Sequence, residues 1–180
     1  MGNSEAVAMM FAARSLIALG AVLALSLAQA SHISLSGPAP QLHLAVGTLG
    51  ATVDTVTFTV PSNAVGDGTE VGGSQTVLIE VAVKRSGGNG GPGSVVLTVD
   101  SFAPLASGPN TIPWDVIRWD SADGVIPAGS FDTLPKTLLS FTAGNGATRR
   151  EDTHTFFFKN TSVYMAGTYN GTMIYTAMVF

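Results

Sequence analysis

The sequence has no cysteine. That excludes disulfide staples, thiol nucleophiles, cysteine zinc sites, c-type haem attachment and a lipid anchor on an N-terminal cysteine. Charge is scarce too: 11% of residues are Asp, Glu, Lys or Arg, and the formal net charge is −4. A chain of this balance has no basic field to follow a phosphate backbone, so nucleic acid is excluded as a partner. With 46% hydrophobic residues it is not a disordered polar segment either. Long apolar runs are also missing. The longest, residues 16–27, falls short of the roughly 20 residues that cross a bilayer, so no stable membrane span is expected in the mature chain.

That short run has a different meaning. It follows Arg14 and leads to Ala28-Gln29-Ala30, small residues of the kind a signal peptidase reads. Residues 1–30 are therefore expected to be a cleaved signal peptide, and the protein to be exported. The remainder, about 150 residues, is enough for one core without covalent staples. Residues 31–50 read as an N-terminal arm or edge strand and residues 51–180 as a single domain.

What is abundant is strand and turn chemistry, with 21 Gly, 9 Pro and many Thr, Ser and Val. In "DTVTFTV", Val56, Phe58 and Val60 share one face and three threonines the other, the signature of a half-buried strand stopped by Pro61. In "SQTVLIEVAVKRS", Val77, Ile79, Val81 and Val83 face one way, with Thr76, Glu80 and Lys84 opposite. The stretch before it, with Gly66, Gly68, Gly72 and Gly73, reads as turns. "GGNGGPG" lacks the GK[ST] of a phosphate loop and precedes another strand, "SVVLTVDSF". A proline-rich middle has Ile112, Trp114, Val116 or Ile117, and Trp119 as its core. Strands in "KTLLSFTAG", "DTHTFFFKN" and the closing segment complete a count of seven to nine. With no room for long crossovers, the pairing is antiparallel, and two sheets packed face to face give the simplest burial.

Few groups suggest chemistry. Trp114, Asp115, Trp119 and Asp120, with Asp123, could form a sugar-binding cleft, indole stacking on the ring and carboxylates accepting its hydroxyls. The competing reading makes the tryptophans core and "DSADG" a turn in which Asp120 and Asp123 bond their own backbone. A calcium site from the same aspartates lacks the regular ligand spacing. His32, His43 and His154 are too scattered for zinc. No G-x-S-x-G elbow presents a serine. His154, Glu151 and Asp152 with Arg149 and Arg150 read as a solvated hairpin shoulder. No catalytic, metal or cofactor residues are assigned, and the chain is not expected to be an enzyme. Asn160 and Asn170 lie in N-x-S/T sequons, which matter only in a cell that glycosylates asparagine.

The closing segment "GTYNGTMIYTAMVF" is apolar on both faces near its end: Tyr169, Met173, Tyr175, Ala177 and Val179 on one, Ile174, Met178 and Phe180 on the other. Such a strand needs cover from a sheet, a partner or lipid. One answer is strand addition between copies, with the arm residues Leu42, Leu44 and Val46 as knobs in a neighbour's groove. Interlocking of that kind does not close and yields a fibre.

Gly167 at the fourteenth place from the end, the alternation after it and the signal peptide resemble fimbrial subunits of the chaperone-usher kind. Val179 stands where that family has a tyrosine, and the cysteine pair of many members is missing. The resemblance implies a Greek-key, immunoglobulin-like β-sandwich, a periplasmic chaperone gripping the last strand, and a homo-oligomeric filament at the cell surface. It makes Gly167 the start of the strand, and Tyr169, Met173, Tyr175, Ala177, Val179 and Phe180 its contact residues. The alternatives are a carbohydrate-binding module around Trp114 and Trp119, and a small outer-membrane barrel ending on Phe180.

Overall fold

The computed structural model describes residues 5–11, 41–47, 54–85 and 93–180, with side chains from residue 41 onward except Asp54. The chain is all-β. Among the described residues there are twelve strands and one 3-10 turn, and every ladder is antiparallel. The count exceeds seven to nine because short pairings such as β6 (Leu105–Ser107) with β7 (Asn110–Ile112), and β9 (Gly129–Ser130), form between the prolines of the middle.

Two principal sheets share one core. The larger runs β2 (Gln41–Val46), β4 (Val71–Arg85), β11 (Gly146–Phe158), β8 (Ile117–Ser121), β9. The smaller runs β10 (Lys136–Ala143), β5 (Gly93–Asp100), β12 (Ile174–Val179). The period-2 alternation sets the inward faces: Val77, Ile79, Val81 and Val83 from β4 meet Val95, Leu97 and Val99 from β5, all fully buried. Burying each such side chain contributes about 1.5–3 kcal/mol relative to leaving it exposed.

Strand β3 (Asp54–Val60) buries Val56, Phe58 and Val60 in the same core but belongs to neither sheet; its ladder partner is β1 (Glu5–Phe11). Seven residues from the segment read as a signal peptide thus form a strand on the edge of β3.

β3 meets β4 through side chains instead: Thr57 N–H donates to Ser74 Oγ (3.0 Å) and Gln75 Nε2 to the Thr55 carbonyl (2.7 Å). The register between β11 and β4 shifts between Thr155 and Phe157, freeing Ser74 and Gln75 for this role. Gly73 is not in a turn, as its sequence context suggests, but in β4 beneath the crossing. A Cβ there would lie 2.4 Å from Val56 Cγ1. Gly66 and Gly68 do hold the left-handed turn positions, at φ 75° and 82°.

The middle resolves one open choice. Val116 and Ile117 are both buried, because the 3-10 turn at Trp114–Val116 breaks the alternation and lets Trp114, Val116, Ile117 and Trp119 all point inward.

Candidate functional site

The residues proposed for a sugar cleft are divided: Trp114 and Asp115 line an open depression with Phe131 and Asp132, and Trp119 and Asp120 lie outside it. Trp114 is 5% exposed and Trp119 2%, and each indole N–H donates to a backbone carbonyl, Trp114 to Ala103 (2.8 Å) and Trp119 to Pro127 (2.9 Å). Phe131 packs against both rings, at centroid distances of 5.9 and 4.6 Å. Rings held this way spend nearly all of their surface in the core. Asp120 faces the other side of the sheet and pairs with Arg118 (2.6 Å), whose guanidinium also grips Glu70 at 2.5 and 2.6 Å. Asp115 is exposed, and Lys159 Nζ donates to its backbone carbonyl rather than its carboxylate (2.7 Å).

The turn after β8 is organised from elsewhere. Asp120 and Asp123 do not bond their own backbone; Asp152 on β11 does the work across the sheet. Its carboxylate accepts from Ser121 Oγ (2.6 Å) and from the N–H groups of Ala122 (3.1 Å), Asp123 (3.1 Å), Ile126 (2.9 Å) and Thr153 (2.7 Å). Burial opposes the charge, but the Ser121 hydroxyl and the Ile126, Asp123 and Thr153 amides together outweigh it and hold the carboxyl well below its ordinary range.

His154, two residues on, faces the same way, with Nε2 3.0 Å from the Ile126 carbonyl and its ring stacked on Trp119 at 5.8 Å. Desolvation lowers its pKa, and the Ile126 carbonyl and the Asp152 charge only partly offset this. The solvated shoulder expected here is therefore wrong for Asp152 and His154, each 1% exposed. It fits better for Arg149 and Glu151, which pair on the outer face of β11, though Arg149 also clasps the buried Glu80 of β4 (Nε to Oε1, 2.7 Å). His43, beside Glu80, has its pKa lowered by burial against the pull of that carboxylate. His32 lies outside the described residues.

Asn160 plays a matching part at the end of β11. It is 1% exposed with φ +48°, and its Oδ1 accepts from Gly66 N–H (2.9 Å). Its Nδ2 donates to the Ala64 carbonyl (2.8 Å) and Asp67 Oδ1 (3.1 Å). The sequon amide is thus consumed in pinning the turn at residues 61–68. Asn170 is exposed, and its backbone bridges Ala106.

The two chain segments proposed for assembly are placed differently from expectation. Leu42, Leu44 and Val46 are not knobs on a projecting arm: they lie in β2, in register with Val83, Val81 and Ile79 of β4, with Leu44 and Val46 each 2% exposed. A segment with that much apolar surface and a ready edge on β4 pairs at home. In the closing segment Met173, Tyr175 and Ala177 are fully buried in this domain's own core, and Tyr169 O–H donates to the Met165 carbonyl (2.8 Å). Gly167 does not begin the strand, which starts at Ile174. It sits where a Cβ would come 2.7 Å from Ser107 Oγ.

Among the described residues no strand pairs with the far edge of β12. Phe180 N–H donates to Ser94 of β5 (2.9 Å), so by alternation the N–H and C=O groups of Tyr175, Ala177 and Val179 turn away from β5. β2 runs nearby, with Cα atoms within 8 Å, yet no ladder joins the two and they remain edges of separate sheets. Phe180 is 72% exposed beside them. Alternation could announce the faces of β12; nothing local in the sequence announces which edge is open.

Comparison with protein-family models and with curated proteins returns no match for the chain.

Proposed function

We propose that this protein is an exported, non-enzymatic structural or adhesive subunit, a Greek-key, immunoglobulin-like sandwich that joins copies of itself by strand addition. The observation that carries the reading is the open edge of β12: a strand firmly seated on one side by β5 turns its other row of backbone groups toward a seam between two sheets. An edge of this kind is a template for another strand, which a periplasmic chaperone could occupy before assembly. The buried Asp152, His154 and Asn160 support the reading in a second way, since each is tied into hydrogen bonds that fix loops.

A membrane barrel is less well supported. Such a barrel carries its apolar band outside, whereas here the outer row of β11 is Arg149, Glu151, Thr153, Thr155 and Phe157, and the apolar face turns into a filled core. Among the described residues no helix is long and apolar enough to cross a membrane.

The test is electron microscopy of the exported protein with Val179→Pro, which removes an N–H on the open edge and none toward β5. Filaments from the parent chain and dispersed particles from the folded variant are expected. Filaments that survive the substitution would overturn the role given to this edge.

A further inference from the structure

Strand β3 offers a second edge, and the structure shows what sits on it. Thr57 N–H and the Thr55 carbonyl point toward β4, so the backbone groups of Val56, Phe58 and Val60 point the other way. They face β1, in the register Met9 to Val56, Val7 to Phe58 and Glu5 to Val60. β3 has no other ladder among the described residues, although its Val56 and Phe58 side chains are fully buried. Without β1, a core-anchored strand would present a row of unpaired donors and acceptors, the condition that favours pairing with another chain.

We propose that β1 is an intramolecular guard strand: it closes the β3 edge in the full chain, and its removal opens that edge to a second copy. The inference rests on the strand-addition reading, and supplies the acceptor that an open β12 edge requires. Two different edges on one subunit, β12 giving and β3 receiving, make a heterologous contact that repeats without closing. Cleavage after Ala30, expected from the sequence, would remove the guard in the same step that releases the mature chain. Assembly would then be confined to protein already exported. The commitment to a second copy follows from the seat itself. What the edge holds here is seven residues of this same chain, in antiparallel register over the whole length of β3.

The test uses the full chain made without export, so that β1 is retained, and compares Val7→Pro with Ala8→Pro. Val7 lies opposite Phe58 with its N–H turned to β3, while the N–H of Ala8 turns away, so the first substitution breaks the ladder and the second is tolerated on the outer edge. Hydrogen exchange at Val56, Phe58 and Val60 is the readout, with near-UV circular dichroism from Trp114 and Trp119 reporting an intact core.

Val7→Pro is expected to speed exchange at these amides by about tenfold or more at low concentration, with protection returning as copies associate at high concentration. Ala8→Pro should leave both as in the parent. Equal exchange in all three chains overturns the guard, and so does a Val7→Pro chain that exchanges fast yet stays monomeric at every concentration. Assembly that occurs but ignores Val179→Pro is a separate outcome: it sinks the β12 reading and leaves the β3 guard standing.

Discussion

Strands β11 and β12 look alike in sequence, each alternating inward and outward residues, yet they occupy opposite situations. β11 is paired on both sides, by β4 and β8, while among the described residues β12 has a ladder only with β5. β11 also carries charged and polar groups inward at Asp152 and His154 and spends them on loops; β12 carries only apolar groups inward and spends nothing on its far edge. Alternation specifies which face of a strand is buried, but the use of its two edges is decided by distant segments. Stability should therefore concentrate on β11 and association on β12.

The largest effect is expected at Asp152. Asp152→Ala takes the acceptor from the Ser121 hydroxyl and from the amides of Asp123, Ile126 and Thr153, while Ala122 N–H keeps the Thr153 carbonyl (3.0 Å), at a cost of about 3 kcal/mol or more in urea unfolding. Hydrogen exchange at Asp123 and Ile126 should rise with it. A cost below about 1 kcal/mol would show that water replaces the carboxylate and that the buried anchor is dispensable.

Asn160→Ala comes next, at about 2 kcal/mol, because it loses three side-chain hydrogen bonds and places a Cβ residue without a compensating amide at φ +48°. Asn160→Gly should cost about 1 kcal/mol less, since glycine tolerates that φ. Equal losses would mean that backbone strain plays no part.

Acid should separate the same groups by pH. His154 has a lowered folded pKa, so the unfolded chain takes up the proton first, and stability falls as the pH drops below about 6.5. Asp152 has a folded pKa below its ordinary 3.8, so its contribution is present above that value and is lost as the pH falls further. Urea midpoints of the parent and of His154→Gln across this range check the assignment: the variant should lack the first decline. A first decline that persists unchanged would assign it to another group, of which half-buried His43 is the evident one.

The smallest stability effect belongs to Phe180→Ser, within about 0.5 kcal/mol, because the ring is largely exposed. A loss above about 1 kcal/mol would mean that the end of β12 is part of the core after all.

The fold class was legible because β3 alternates strictly and β4, β5 and β12 keep an apolar residue at every second, inward position even where the outer face adds others, which names an antiparallel all-β chain and its inward faces. The burial of Ile112, Trp114 and Trp119 was legible too, as bulky apolar residues among prolines. Asp152 and His154 were not, since charged and polar residues on an inward face make sense only once Ser121 and Ile126, more than twenty residues away in sequence, are brought to them. Gly73 was misread for a related reason: the same residue that permits a turn also permits a close crossing, and only the position of Val56 distinguishes the two. The arm was misplaced because Leu42, Leu44 and Val46 fit a neighbour's groove and this domain's own β4 edge equally well by pattern. Belonging to the same chain favours the latter, since closing a segment of one chain costs less than recruiting a second copy.

The most direct test of the account is the association state of the exported chain against that of Val179→Pro, by sedimentation over a range of concentrations, with thermal unfolding of both. The parent should form concentration-dependent, open-ended assemblies, and the variant should remain monomeric with a nearly unchanged unfolding midpoint. A parent chain that stays a monomer at every concentration would contradict the claim that the outer edge of β12 joins one copy to the next.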